Sequence, residues 1–163
     1  MKSGQIQVAQ HKGVQIIRLI GDVRLNLCTA FDKYIRQVIS QGDFDNVMID
    51  LSAAEGVDST SLGQLAKISI LSREKFGITP TIFTPDDSIT RILMSMGFDM
   101  VFHIIEEPFD DEADFREWVD DAVDEEAART QIISAHKALM ELNESNRDTF
   151  SELVETLECS RQA

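Results

Sequence analysis

An α/β sandwich followed by an acidic α-helical extension is the architecture the sequence predicts, and three observations carry it. Strand-like and helix-like patterns alternate from Gln5 to Ile105, as in layered α/β domains. No strand pattern follows Ile105, where a helical rhythm takes over. Charge divides at the same place. Residues 1–105 hold 11 acidic and 10 basic side chains, net −1, whereas residues 106–163 hold 18 and 5, net −13, of a total of −14. A chain of 163 residues, 43% apolar, therefore reads as a near-neutral domain over 1–105 with an acidic helical extension over 106–163.

The first element is a strand from Gln5, turned at His11-Lys12-Gly13 into a second strand, Val14 to Gly21. Gly21-Asp22-Val23 reads as a strand-ending turn or a partner contact. Asn26 is placed to cap a helix whose apolar residues Leu27, Phe31, Ile35, Val38 and Ile39 recur at three and four, ending at Gly42. Asn46 to Leu51 is a short apolar run typical of a buried strand. The next helix carries Leu62, Leu65, Ile68, Ile70 and Leu71 and ends before Gly77. A strand over Thr79 to Phe83 accommodates Pro80 at its start or edge. Asp86, Asp87 and Ser88 cap a third helix stopped by Gly97, and Val101 to Ile105 forms a last short strand.

In the extension, Phe115, Trp118, Val119, Ala122 and Val123 fall on one face of a helix, with acidic residues opposite. A longer helix runs from about Glu126 to about Glu158, its stripe interrupted by Asn143 and Asn146. These faces either pack on the domain and each other, or serve a second protein or self-association.

The acidity excludes nucleic acid and anionic membrane surfaces as favoured partners. No run of about 18 apolar residues spans a membrane, and no secretory signal follows Lys2, so a cytoplasmic location is expected. Cys28 and Cys159 form no metal or disulfide pattern and read as reduced thiols; no cofactor or metal is implied.

Chemistry concentrates in the stretch EGVDSTSLGQL, Glu55 to Leu65, where Ser59, Thr60 and Ser61 follow Asp58. Ser59 or Thr60 suits a helix N-cap, accepting a hydrogen bond from an otherwise orphaned amide. A serine nucleophile needs a base and an elbow; GxSxG is absent, and His11, His103 and His136 lie in separate elements with no motif tying them to the cluster. A phosphate here would add roughly −1.5 to −2 charges at a helix amino end, which tolerates it.

The segment Val57-Asp58-Ser59-Thr60-Ser61-Leu62-Gly63, behind the strand Val47 to Leu51, resembles the D-S-[ST]-G-L-G motif of the STAS domain, the anti-sigma factor antagonist family. Ile89 to Phe98 is similar to the family's final helix and its terminating glycine, and the resemblance covers roughly residues 5–105. It implies a STAS-type sandwich of a mixed β-sheet with helices. It also implies that Ser59 is the phosphoacceptor, with Thr60 second. Asp58, Leu62 and Gly63 match the motif, whereas Ser61 replaces its usual glycine. The partner face implied comprises this helix and the loop after the second strand, hence Asp22, Arg24 and Asn26. The implied partners are an anti-sigma factor that is a serine kinase of the histidine-kinase-like ATPase type, and a metal-dependent serine phosphatase. The protein would be their substrate and ligand, without catalysis of its own. The competing expectation is a constitutive scaffold or sensor subunit in which the hydroxyls only cap the helix.

Overall fold

The structure is a computed structural model, and it describes residues 3–107, 113–119 and 124–162. Strands β1 (Gln5–His11) and β2 (Val14–Val23) form the expected antiparallel hairpin. Its two loop residues, Lys12 and Gly13, both have positive φ, the geometry whose twist suits a two-residue hairpin. Then come α1 (Cys28–Gln41), β3 (Asn46–Asp50), β4 (Ala54–Val57), α2 (Ser59–Phe76), β5 (Thr81–Phe83), α3 (Asp87–Ser95) and β6 (His103–Ile105). Beyond them lie β7 (Arg116–Glu117), α4 (Glu125–Leu142) and α5 (Glu144–Gln162).

The sheet is mixed, in the order β6-β5-β3-β2-β1-β7. Strand β2 is long enough to serve two parallel neighbours in turn: Val14 to Arg18 pair with β3, and Gly21 to Val23 with β4. The register shifts between Gly21 and Asp22, where Gly21 takes φ 76°. Ile17, Leu19 and Val23 of β2 share one core with Phe31, Tyr34 and Ile35 of α1, Leu62 and Leu65 of α2, and Ile89 and Leu93 of α3. The helix terminators behave as their glycines require, Gly42 and Gly77 both closing helices in the left-handed region.

Several expectations need correction. Strand β4 was not anticipated, since Ala-Glu-Gly-Val carries no alternation; its place is fixed by pairing with the end of β2. Asn26 does not cap α1. It sits in a 3₁₀ turn, Leu25–Leu27, and Leu27 is the cap residue without a side-chain bond. The amphipathic helix expected around Phe115 to Val123 is not formed where the chain is described: Arg116 and Glu117 are a strand on β1, and Trp118 donates its indole N–H to the Ala30 carbonyl at 2.9 Å. Ala122 and Val123 lie outside the described residues.

The long terminal helix is two. Asn143 adopts φ −167°, ψ 168° and ends α4, its side-chain oxygen accepting from Asn146 N–H at 2.8 Å to start α5. The Asn146 amide, 3% exposed, donates to the Met96 and Leu139 carbonyls. Both asparagines that break the apolar stripe therefore make a tight helical corner, docked on the end of α3. The resulting hairpin packs inward: α4 lies on α2 and α1, α5 lies on α4, and Ala138, Leu139 and Phe150 join the main core.

The extension is thus part of the hydrophobic interior. Replacing Leu139, 0% exposed, by alanine is expected to cost about 2–5 kcal/mol, read as a lower urea midpoint at unchanged slope.

Candidate functional site

Asp58 organises the hydroxyl cluster. It is the N-cap of α2, with extended backbone, and its Oδ1 accepts from Ser61 N–H at 2.8 Å. Its Oδ2 accepts from Leu25 N–H at 2.8 Å, tying the loop after β2 to the start of α2. Capping therefore falls to Asp58, not to Ser59 or Thr60. With the carboxylate in that role, the hydroxyls divide. Ser61, 4% exposed, turns its Oγ to the Val23 carbonyl at 3.3 Å, and Thr60 is 5% exposed. Ser59, the first residue of α2, stays half-buried, its hydroxyl turned to α4.

That hydroxyl meets His136 of α4, with Oγ 2.9 Å from Nε2. The other ring nitrogen, Nδ1, lies 2.7 Å from the Ile132 carbonyl, which only accepts. A neutral ring therefore holds its proton on Nδ1 and offers Nε2 as acceptor to the Ser59 hydroxyl. His136 is 2% exposed and packs edge-on against Phe150 of α5, ring centroids 5.2 Å apart. Sequence reasoning left this histidine unconnected, because the contact spans 77 positions and joins the domain to its extension.

The rest of the face between α2 and α4 explains the placement. A Cβ added at Gly63 would stand 2.6 Å from the Ala135 Cβ and nearer still to its carbonyl, so only glycine permits the approach. One residue and one turn further along α2, Gln64 Nε2 and Lys67 Nζ donate to Gln131 Oε1 at 3.3 and 2.9 Å, and Gln131 Nε2 donates to Asp32 Oδ2 at 3.0 Å. Burial lowers the Lys67 amine, and Asp32 opposes that shift. The helices run antiparallel: Ser59, Gly63 and Lys67 meet His136, Ala135 and Gln131 in turn.

The remaining predicted site residues gather at the same corner. Arg24 Nε donates to Asp22 Oδ2 at 2.5 Å, an exposed pair that raises the guanidinium through hydrogen bond and charge, with a smaller contribution from Asp58. Asn26 is exposed beside Leu25, itself 47% exposed. Leu62 is buried in the core, supporting α2 without reaching the surface. A groove of about 600 Å³ lies between α1, α2 and α4, lined by Asp32, Arg36, Lys67, Gln131, Lys137 and Glu141, apart from Ser59. Among the described residues no group of three or more His, Cys, Asp or Glu is arranged to hold a metal, and no helix is long and apolar enough to cross a membrane. Cys28 is buried, which raises its thiol, and Cys159 is exposed.

Comparison with known proteins places this geometry. The sequence model of the STAS domain matches residues 5–114. No curated protein sequence matches the chain. Among solved structures, the anti-sigma factor antagonist SpoIIAA in its unphosphorylated form aligns with TM-score 0.53 at 14% identity, over 65% of this chain and 90% of its own. The phosphorylated form of SpoIIAA, described as a Bacillus cell fate determinant, aligns with TM-score 0.52 at 16% identity, over 63% and 92%. An anti-sigma factor antagonist from Mycobacterium paratuberculosis aligns with TM-score 0.54 at 24% identity, over 64% and 87%. At these identities the likeness is one of fold.

Two stability measurements test the site's construction. Asp58→Ala is expected to cost about 1–2 kcal/mol in urea unfolding, since one carboxylate caps α2 and holds Leu25. A double-mutant cycle of Ser59→Ala with His136→Phe should give a coupling of about 0.5–1.5 kcal/mol; zero coupling would mean that the 2.9 Å contact contributes nothing.

Proposed function

Because the chain belongs to the STAS domain family, we propose that it acts as an anti-sigma factor antagonist in a partner-switching pathway, with Ser59 as the phosphoacceptor. In this reading residues 1–105 are the antagonist domain and residues 106–163 its extension. The unphosphorylated protein binds an anti-sigma factor that is also a serine kinase of the histidine-kinase-like ATPase type. Phosphorylation of Ser59 ends that binding, and a metal-dependent serine phosphatase restores it. The protein is substrate and ligand in the cytoplasm, without catalysis of its own.

The observation that carries the reading is the division of labour at the start of α2. Asp58 caps the helix, so the Ser59 hydroxyl has no backbone duty and sits at the first helical position, half-buried. A phosphate there would face the positive end of the α2 dipole. Thr60 is less suited, being 5% exposed. Asp22, Arg24, Asn26 and the exposed Leu25 form the neighbouring rim, contributing charge and an apolar side chain beside the phosphoacceptor.

The Ser59–His136 pair has the connectivity of a nucleophile and its base, yet it favours ligand over enzyme. The ring is orientated by a backbone carbonyl and, 2% exposed, is shut between α2 and α5. The open groove between α1, α2 and α4 is built from other residues.

Incubation with the cognate kinase and ATP should add one phosphate, and Ser59→Ala should abolish it while partner binding is kept. Phosphate on Thr60 with Ser59 unmodified would overturn the assignment. If Ser59→Asp bound the anti-sigma factor as well as the wild type does, the constitutive scaffold reading would replace the switch.

A further inference from the structure

The hydrogen bond between Ser59 and His136 is one whose direction can reverse. In the unmodified protein Nδ1–H donates to the Ile132 carbonyl, so Nε2 accepts from the Ser59 hydroxyl. Phosphorylation would remove that hydroxyl proton and leave Nε2 beside oxygens that only accept. A protonated ring answers the change without moving, because imidazolium donates from both nitrogens. Its Nδ1–H keeps the Ile132 carbonyl and its Nε2–H turns to the phosphate.

We propose that His136 takes up a proton when Ser59 is phosphorylated and becomes the cationic partner of the phosphoserine, so that the α4–α5 hairpin completes the phosphoacceptor site and stays docked in both states. The inference rests on the reading of Ser59 as phosphoacceptor. In the transfer the bond formed joins Ser59 Oγ to the γ-phosphorus of ATP, the bond broken releases ADP, and the hydroxyl proton passes to Nε2. Ser59 is half-buried, which gives the phosphoryl group a way in from solvent, whereas the ring behind it is 2% exposed. An ion pair formed at so dry a position is stronger than one in water. The close approach of Gly63 and Ala135 holds α4, and with it the ring, at a fixed distance from the start of α2. The ring's other contacts are neutral, the Ile132 carbonyl and the Phe150 side chain of α5. Asp58, the carboxylate next to Ser59 in sequence, is already engaged by the Ser61 and Leu25 N–H groups, which leaves the phosphate to accept from Nε2–H. Release of an anti-sigma factor then follows from new charge beside the rim of Asp22, Arg24 and Leu25, with no rearrangement of α4.

The test uses the full chain with phosphoserine incorporated genetically at position 59, so that neither kinase nor anti-sigma factor is needed. Nitrogen NMR of the labelled ring is expected to show both His136 nitrogens protonated at neutral pH in the phosphoserine protein, and one in the unmodified protein. Phosphorus NMR is expected to place the second ionisation of the phosphate about one unit below its ordinary value of about 6. His136→Gln sets an amide near the place of Nε2 that can hydrogen-bond but cannot take up charge, and it should return the phosphate to about 6. A singly protonated ring in the phosphoserine protein, or a phosphate titration that His136→Gln leaves unchanged, would overturn the proposal while leaving partner switching intact. Faster amide exchange throughout α4 in the phosphoserine protein would overturn it too, because the hairpin would then have left the site. The ring readout needs no variant, so it stands even if His136→Gln fails to fold. Failure of the partner-switching reading would show instead in the Ser59→Asp binding comparison.

Discussion

Helix α2 presents to α4 a surface with no room for a side chain at Gly63, and that missing Cβ fixes how the rest of the molecule is arranged. Glycine inside a helix costs about 0.5–1 kcal/mol relative to alanine, so its presence is explained by what it permits. It lets Ala135 come within backbone contact, and antiparallel geometry then determines the neighbours. One turn back along α2 from Gly63 is Ser59, and one residue on from Ala135 is His136; one turn forward is Lys67, and one turn back along α4 is Gln131. The histidine contact and the polar cluster both follow from one packing constraint.

The composition of that interface bears on how firmly it is held. Ala138, Leu139 and Phe150 bring the hairpin into the core, which favours docking through apolar burial. Beside them Asp32, Lys67, Gln64 and Gln131 are removed from water, and the lowered Lys67 amine reports the desolvation that this entails. Such a cluster contributes less net stability than apolar side chains of similar volume, though it specifies one register. An interface of this kind holds the hairpin in one position.

The main elements of the domain were legible because their signals are local. The hairpin, the apolar periods of α1 and α3, and the glycines at 42, 77 and 97 follow from short-range pattern and backbone freedom. Pairings supplied from a distance were not legible. Arg116 and Glu117 become a strand only because β1 has a free edge, and Ala54 to Val57 only because β2 outruns β3. At the site, the spacing from Asp58 to Ser61 already matched an N-cap accepting from the third residue on, a signal obscured by the adjacent hydroxyls. For His136 the available cue was indirect: the small residues Gly63 and Ala66 on one helix and Ala135 and Ala138 on another suit close packing, and His136 lies within that second set. Asn143 and Asn146 were read as breaks in a stripe when they are the corner between two helices, since asparagine ends one helix and caps the next with equal ease.

The extension's charge suggests that the proposed phosphate on Ser59 would act on it chiefly through long-range repulsion. Distances decide against it. Glu125 and Glu126, in the acidic first turn of α4, lie ten or eleven residues from His136, about 15 Å along the helix at 1.5 Å per residue. Between exposed charges at physiological salt, screening acts over about 8 Å, so most of that repulsion is lost. What a phosphate on Ser59 meets at full strength is the contact shell: the Asp58 carboxylate one residue before it, Nε2 of His136 at 2.9 Å, and a helix that Gly63 holds too close to shift. The acidic outer face of the docked hairpin keeps it solvated.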